Sequence, residues 1–182
     1  MEIFILIKIK MAYISPNSQS YNFTHMFDMS DRRGPLPKKE PCPGSLLDVI
    51  SKDPRFTKFK SILEKAMMTE FLNSPVANYT VFVADDIHLK YFGPFIDNMD
   101  LLTARRIVKN SIVYGRLSSE VLKDSPISYL YTSQDNSRDR LCITNMDDKT
   151  IIDGTNEVIE WDILANNGII HVVEGLLIPY IV

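Results

Sequence analysis

Near its end the chain reads Asn166-Asn167-Gly168-Ile169-Ile170-His171-Val172-Val173-Glu174-Gly175-Leu176-Leu177-Ile178-Pro179. The Asn167-Gly168 pair is a strong hairpin signal, because both residue types tolerate the positive φ of a tight turn. An apolar run with one histidine, His171, follows the pair, and Pro179 closes it. These features predict that residues 158–164 fold back antiparallel against residues 169–178.

Upstream of this hairpin, helical patterns come first in the chain. Ser45 is a candidate N-cap for residues 46–50. Asp53-Pro54 marks a second helix start, with a capping Asp and a Pro at the first helical position. Apolar residues then recur every three or four positions, which predicts a buried helical face. That face comprises Phe56, Phe59, Leu63 and either Ala66 or Met67.

A third helix is predicted to begin at Asp100 and to stop at Gly115, with Leu101, Ala104 and Val108 along its apolar stripe. Most of the strand patterns come after this helix. The strand candidates are residues 80–84, 129–132, 141–144, 150–152 and 158–164, and the polar run 133–140 is a predicted hairpin tip. Helices followed by strands favour an α+β fold over a doubly wound sheet.

Residues 166–179 resemble the second signature motif of the fasciclin domain family, which runs roughly N-G-[VI]-[VI]-H-x-[VI]-[DE]-x-[VL]-L-x-P. The first signature of that family, T-V-F-A-P-T-[ND]-x-A-F, is similar to Thr80-Val81-Phe82-Val83-Ala84-Asp85-Asp86, although Ala84 and Asp85 replace its Pro and Thr. The resemblance extends from Ser45 to Pro179. It implies the α+β fold of the family, a wedge of β-strands with helices packed alongside.

Two short segments are thought to contact receptors in adhesive members of this family. A Tyr-His segment is one of them, and Asn110-Ser111 stands in its place. An Asp-Ile pair just before the second motif is the other, and this chain retains it as Asp162-Ile163. Asp162 and Ile163 are therefore candidate partner-binding residues, although Ile163 also fits a core position on a strand. The family's mostly non-catalytic character implies no cofactor and no small-molecule substrate.

The chain divides into an N-terminal tail over residues 1–43 and a globular domain over residues 44–182. Ser, Asn and Pro dominate residues 11–43, which predicts that this segment orders only against a partner or the surface of the domain. Lys and Arg outnumber Asp and Glu in the tail, whereas the rest of the chain is net negative. The tail is thus predicted to bind a protein partner with an acidic surface. Its candidate contact residues are Arg32, Arg33, Lys38 and Lys39.

The sequence motifs favour docking over catalysis. The chain holds no nucleophile elbow, glycine-rich phosphate loop or His-Glu-x-x-His helix. His171 lies among aliphatic residues, which predicts a buried imidazole whose nitrogens bond to backbone groups. Asp85-Asp86-His88 could form a metal or acid–base cluster, but capping of the helix that follows Ala84 by Asp85 or Asp86 is the stronger interpretation.

Net charge and hydropathy also indicate which kinds of partner the protein binds and where it is expected to be located. A net charge of −3 is unlike the basic stripe of nucleic-acid-binding proteins. Residues 3–7 are apolar, but Glu2 precedes them and Lys8 ends the run, which predicts no standard secretory signal peptide. No stretch approaches the roughly 18 apolar residues of a membrane span. The protein is therefore expected inside the cell or within a large assembly, with an extracellular location as the alternative. Cys42 and Cys142 are compatible with one disulfide or with two free thiols.

These features favour a non-catalytic fasciclin-type protein–protein interaction module that is a structural or docking component of a larger assembly. A virion is one such assembly, because the excess of Ile over Ala is typical of AT-rich genomes, including those of some large DNA viruses. The alternative is a cell-surface or matrix adhesion protein, the best-known role of the family. An unrecognised enzyme is the third class, which a pocket with a perturbed carboxylate pair would favour.

Overall fold

The computed structural model of the protein describes residues 40–133 and 140–179. The predicted tail, apart from residues 40–43, and most of the predicted hairpin tip at 133–140 lie outside these ranges. The helices are α1 Leu46–Lys52, α2 Thr57–Lys65, α3 Thr69–Asn73, α4 Gly93–Asp97, α5 Leu101–Asn110 and α6 Ser119–Lys123, with 3-10 turns at Pro54–Phe56 and Lys90–Phe92. The strands are β1 Tyr79–Ala84, β2 Ile112–Tyr114, β3 Ile127–Tyr131, β4 Arg140–Met146, β5 Lys149–Ile152, β6 Asn156–Ala165 and β7 Gly168–Val173.

The strands form one mixed sheet in the order β2-β1-β7-β6-β5-β4-β3. Neighbouring strands run antiparallel except β1 and β7, which are parallel over their whole length, from the Tyr79–Gly168 pair to the Ala84–Val173 pair. An antiparallel bridge between Val113 and Thr132 brings the two ends of the sheet together. The predicted α+β class is confirmed. Each strand candidate coincides with an observed strand, but the last strand ends at Val173 instead of continuing to residue 178 as predicted.

Side-chain caps mark the helix starts where the sequence predicts them. Ser45 Oγ accepts the N–H of Asp48 at 3.1 Å, at the first turn of α1. Asp53 Oδ1 accepts the N–H of Arg55 at 2.9 Å ahead of α2. Asp100 Oδ1 accepts the N–H of Thr103 at 2.7 Å, so α5 begins where predicted. Each carboxylate or hydroxyl satisfies a backbone donor that the helix itself cannot pair.

The predicted stop of the third helix at Gly115 is wrong. Helix α5 ends at Asn110, and the next residues form strand β2. The β-branched pair at the start of β2 joins the edge of β1 instead of continuing the helix, and Gly115 follows the strand with a φ of +94°. Leu101, predicted on the buried stripe of this helix, is 39% exposed, and Ile107 is buried in its place.

The buried face of α2 matches its apolar spacing. Phe56, Phe59, Leu63 and Ala66 are all within 1% of complete burial. Met67, the alternative to Ala66, is 74% exposed and adopts a left-handed φ of 54° just beyond the helix. The helix therefore ends its contact with the core at Ala66.

The predicted hairpin between β6 and β7 is confirmed, but Gly168 is needed in it for a different physical reason than the predicted one. Ala165 pairs with Gly168, so the turn residues are Asn166 and Asn167. Neither Asn167 nor Gly168 is among the residues with positive φ. Gly168 is required by packing instead, because a Cβ there would lie 2.7 Å from Leu46 Cδ1 and closer still to the carbonyl oxygen of Tyr79.

The side chain of Asn167 connects this turn to two helices. Its Oδ1 accepts the N–H of Leu46 at 2.7 Å, the first residue of α1. Its Nδ2 donates to the carbonyls of Leu72 at 2.9 Å and Ser74 at 2.7 Å, at the end of α3. The residue is 3% exposed, so two buried hydrogen bonds and one partly buried one join the sheet to the helical layer.

We predict that Gly168→Ala lowers the free energy of unfolding by at least about 2 kcal/mol, because the added methyl would displace the backbone of β1. Denaturant titration of both proteins measures this difference. Gly93→Ala is the matched control, since a Cβ there meets nothing within 4 Å and the φ of Gly93 is −47°. An equally stable Gly168→Ala protein would show that β1 and β7 do not approach this closely.

Candidate interaction site

Strand β6 is distorted where it carries the predicted partner-binding residue Asp162. Val158 pairs with Val173, Glu160 with Val172 and Ile163 with Ile170, so β6 gains one extra residue in each interval. Asp162 itself has a left-handed φ of 59°. A bulge of this kind redirects a side chain out of the regular alternation of a strand. The segment 159–163 is called the β6 bulge below.

The bulge directs the carboxylate of Asp162 to the first residue of helix α6. The carboxylate accepts the Ser119 N–H at 2.9 Å and also the Ser119 hydroxyl. Burial raises the pKa of Asp162, but the hydrogen bonds from Ser119 outweigh that effect, so the pKa lies below its usual range. Asp162 is thus an ionised cap for α6, supplied from 43 residues away along the chain.

His171 supports the bulge from the adjacent strand. It is fully buried, and its Nε2 donates to the carbonyl of Leu117 at 2.9 Å. Its Nδ1 accepts the N–H of Asp162 at 3.2 Å, which requires a neutral ring protonated at Nε2. Burial lowers the pKa of His171, in agreement with that neutral form. The prediction of a buried imidazole bonded to backbone groups is confirmed.

Aromatic and cationic groups surround the bulge. The ring of Trp161 meets His171 edge-on at 5.0 Å between centroids, and the Nζ of Lys123 lies 4.5 Å from the centre of the Trp161 ring. The guanidinium of Arg116 donates to the carbonyl of Ala165 at 2.8 Å, at the far end of β6. Lys123 and Arg116 are exposed, so the bulge lies between two cations.

The two members of the Asp-Ile pair differ in what they can offer a partner. Ile163 packs against the core and pairs with Ile170, as the alternative interpretation of this residue predicted. Leu164, the next residue, is 69% exposed. Sequence reasoning missed Leu164 and the contact of Asp162 with Ser119. The Ser118-Ser119-Glu120 run is a helix start signal that could have pointed to α6.

Asn110 and Ser111, which stand where adhesive relatives are thought to carry a receptor-contacting segment, are internal. They are 4% and 1% exposed. Asn110 Nδ2 donates to the carbonyl of Leu177 at 3.0 Å, and Ser111 Oγ donates to the carbonyl of Ile107 at 2.9 Å. Asn110 therefore holds the C-terminal segment on helix α5, and Ser111 bonds to the last turn of that helix, so both residues have structural roles.

The acidic pair after β1 caps two different segments. Asp85 Oδ1 accepts the N–H of His88 at 2.9 Å and lies 2.6 Å from Nδ1 of the same residue. Asp85 thus caps a turn, and the helix predicted directly after Ala84 does not form. Asp86 Oδ1 instead accepts the N–H of Lys58 at 2.8 Å, at the start of α2. Within residues 40–133 and 140–179, no group of three or more His, Cys, Asp or Glu side chains could hold a metal ion.

The structure also shows the state of the two cysteines and of the Asp153 carboxyl beside one of them. Cys42 and Cys142 are free thiols, and both are half-buried. The half-buried carboxyl of Asp153 has a pKa raised by burial, and its Oδ1 accepts the N–H of Cys142 at 2.8 Å. Among the described residues, no helix has the length and apolarity that crossing a bilayer demands. The tail cations Arg32, Arg33, Lys38 and Lys39 lie outside the described residues.

Comparison with known proteins identifies the class of this architecture. The family model of the Fasciclin domain matches residues 54–179, which is most of the chain, so the chain belongs to that family. The solved FAS1 domain pair of the insect cell adhesion molecule fasciclin I has a similar fold, with a TM-score of 0.62 over 76% of this chain and 51% of that chain. Sequence identity to it is 19%, so it supports the fold alone.

Two curated relatives resemble the chain in sequence. Human (Homo sapiens) periostin is 28% identical over 145 residues, which cover 77% of this chain and 16% of periostin. The pig (Sus scrofa) transforming growth factor-beta-induced protein ig-h3 is 27% identical over 139 residues, which cover 76% of this chain and 20% of that protein. The chain therefore spans a fifth or less of the length of these relatives.

We predict that His171→Ala lowers the free energy of unfolding by about 1–3 kcal/mol, because backbone groups of Leu117 and Asp162 lose their partners. The pH dependence adds a second signature. A His titrates near pH 6.5 in an unfolded chain. Because burial lowers the pKa of His171, its contribution is complete above about pH 6.5 and falls as the pH drops below that value.

Denaturant titration at a series of pH values between about 7 and 5 measures this loss. In the His171→Gln protein, which cannot take up the proton, stability should fall less steeply over the same interval. Equal slopes for the two proteins would show that His171 does not hold a neutral ring in the folded state.

Proposed function

We propose that the protein is a non-catalytic interaction module that acts in adhesion at the cell surface or in the extracellular matrix. The observation that supports this proposal most is the match of the Fasciclin domain model to residues 54–179. The fold of the chain is also similar to that of a solved cell adhesion molecule. In the described residues, the polar side chains that sequence motifs singled out act as caps or bind backbone groups, and the ring of His88 pairs with the carboxylate of Asp85. They are therefore occupied by structural roles rather than arranged around a substrate.

The β6 bulge is the surface we propose for partner contact. Ile163 faces the core, and the carboxylate of Asp162 already binds Ser119, so this pair sets the shape of the bulge. The exposed apolar side chain beside it is Leu164. An exposed apolar residue between the cations Lys123 and Arg116 fits a partner surface with an apolar centre and an acidic rim.

The tail is our second proposed contact. Arg32, Arg33, Lys38 and Lys39 give it a cationic cluster that would bind an acidic surface and speed association. We propose that the tail carries more of the affinity than the Asp162-Ile163 pair, because the side chain of Ile163 is partly buried against the core. Docking in a larger assembly, a virion included, would use the same tail, but the comparisons favour adhesion.

We predict that cells attach to surfaces coated with the full chain and that both proposed contacts contribute. The variants are Leu164→Glu, which places a charge at an apolar contact, and a full-length protein with Ala at Arg32, Arg33, Lys38 and Lys39. Each should raise the coating density needed for half-maximal attachment by tenfold or more, which corresponds to about 1.4 kcal/mol. The tail variant should have the larger effect.

Leu102→Glu is the matched control for Leu164→Glu, because Leu102 is also a leucine, is 68% exposed and lies on helix α5 rather than beside the β6–β7 turn. It should leave attachment unchanged. Attachment no stronger than to an albumin-coated surface would contradict the adhesion proposal. Normal attachment of the Leu164→Glu protein, with the tail variant inactive, would restrict the contact to the tail.

A further inference from the structure

Asn78 lies at the end of the loop between α3 and β1, in the sequence Asn78-Tyr79-Thr80. An asparagine followed two positions later by Ser or Thr, with any residue but Pro between them, is the acceptor sequence for N-linked glycosylation. Among the asparagines that the structure describes, Asn78 alone is followed by Ser or Thr at that position. The chain has a second acceptor sequence, Asn22-Phe23-Thr24, which lies outside the described residues.

The side chain of Asn78 has room and chemistry for a sugar. The residue is exposed, and its side-chain amide makes no hydrogen bond to another described residue. Every other asparagine in the described part of the chain uses its side-chain amide in at least one hydrogen bond. The backbone of Asn78 is fixed, because its carbonyl accepts the N–H of Gly115 at 2.8 Å. A glycan on Nδ2 would therefore replace no hydrogen bond of the fold.

The neighbours of Asn78 leave this position open to solvent. The ring of Tyr79, the next residue, stacks on Phe71 at 4.7 Å between centroids, so it is held against the domain. Val76, two residues earlier, is 90% exposed. A bulky, hydrophilic oligosaccharide on Asn78 therefore fits the surface of this loop.

Thr80, the third residue of the acceptor sequence, shows when a sugar can be added. The acceptor sequence requires the hydroxyl of this residue. In the folded domain Thr80 is completely buried, and its hydroxyl donates to the carbonyl of Gly115 at 2.8 Å and accepts the N–H of Leu117 at 2.9 Å. The folded domain thus does not present its acceptor sequence. The hydroxyl is accessible only before residues 115–117 bind it.

We propose that Asn78 is an N-glycosylation site, which receives its oligosaccharide while the chain enters the secretory route and before the domain folds. Because the transfer takes place only on chains that enter that route, the site rests on the proposed extracellular function. The donor is an oligosaccharide carried on a lipid pyrophosphate. Nδ2 of Asn78 forms a bond to C1 of the first N-acetylglucosamine, and the bond between C1 and the pyrophosphate oxygen breaks. The lipid pyrophosphate leaves with the electron pair, and the amide nitrogen releases one proton.

Secretion of the full chain from cultured animal cells, behind a cleavable leader, tests the proposal. Asn22→Gln removes the second acceptor sequence from every protein compared. Peptide N-glycosidase in heavy-oxygen water converts a glycosylated asparagine to a labelled aspartate, which peptide mass spectrometry locates. The label is expected at Asn78 in most of the secreted molecules, and the treatment should increase their gel mobility through the loss of one glycan.

Variants of the acceptor sequence are the matched controls. Asn78→Gln should be secreted without label or mobility change, and its denaturation midpoint should equal that of the enzymatically deglycosylated protein, because the amide of Asn78 makes no hydrogen bond. Thr80→Ser keeps the required hydroxyl and should still carry the label. A short metabolic pulse should find the glycan on chains that are still protease-sensitive. Addition only after the chains resist protease would contradict the order of events inferred from the burial of Thr80.

Failure of this site and failure of the adhesion proposal have different signatures. The chain made in bacteria carries no glycan, so its attachment to cells tests adhesion alone. An unmodified Asn78 in the secreted Asn22→Gln protein would overturn the glycosylation site whatever the attachment result, and so would an unmodified Asn78 in the protein isolated from its native source. A labelled Asn78 in a chain to which cells do not attach would contradict adhesion and support the site.

Discussion

The structure depends on the complete burial of strand β7. All six of its residues, Gly168–Val173, are buried, and the strand lies between β1 and β6 in the middle of the sheet. A strand in that position has no solvent to satisfy its polar groups or to accommodate extra atoms. Each polar group of β7 therefore needs a hydrogen-bond partner on a neighbouring element, and each residue of β7 must fit the space that its neighbours leave. Gly168 leaves room for β1, and Asn167 just before the strand binds α1 and α3.

The burial of β7 also determines the position of surface residues, because His171 on this strand binds backbone groups of β6 and of the segment before α6. A buried imidazole needs a donor and an acceptor, and it takes one from the backbone of Asp162 and the other from that of Leu117. Those two contacts hold the β6 bulge and the segment before α6 in place. The bulge in turn directs the Asp162 carboxylate to Ser119. The exposed residues proposed to meet a partner are thus positioned by a hydrogen-bond network that begins in the core.

Local patterns in the sequence predicted α1, α2, the start of α5, the strands other than β2 and the fold class, because caps and apolar spacing act within a few residues, but α3, α4 and α6 were not predicted. These patterns could not predict contacts between distant segments. The hairpin at Asn167-Gly168 was predicted from turn chemistry, yet Gly168 is needed for its close approach to Tyr79 across the sheet. The cap of α6 by Asp162 joins residues 43 positions apart, and no local pattern indicates it.

Two interpretations changed for the same physical reason. From the sequence, Asn110 and Ser111 were interpreted as replacing a receptor-contacting segment of adhesive relatives. Their burial depends on how the C-terminal segment packs on α5, which the sequence does not show. Strand β3 reads Ile-Ser-Tyr-Leu-Tyr, with apolar residues on both faces, so the sequence does not show which face is exposed. The sheet order places β3 at an end, and only that placement shows that, among the described residues, no strand pairs with its outer edge between Ile127 and Leu130.

Native-state hydrogen exchange tests the dependence on β7 most directly. The amides of residues 170–172 should exchange only through global unfolding, with the same free energy as denaturant titration gives. The amides of Ile127 and Tyr129 on the end strand β3, which point away from β4, should exchange through smaller local openings. Exchange of the β7 amides at a lower free energy than those of β3 would contradict the claim that β7 is the element on which the rest of the domain is assembled.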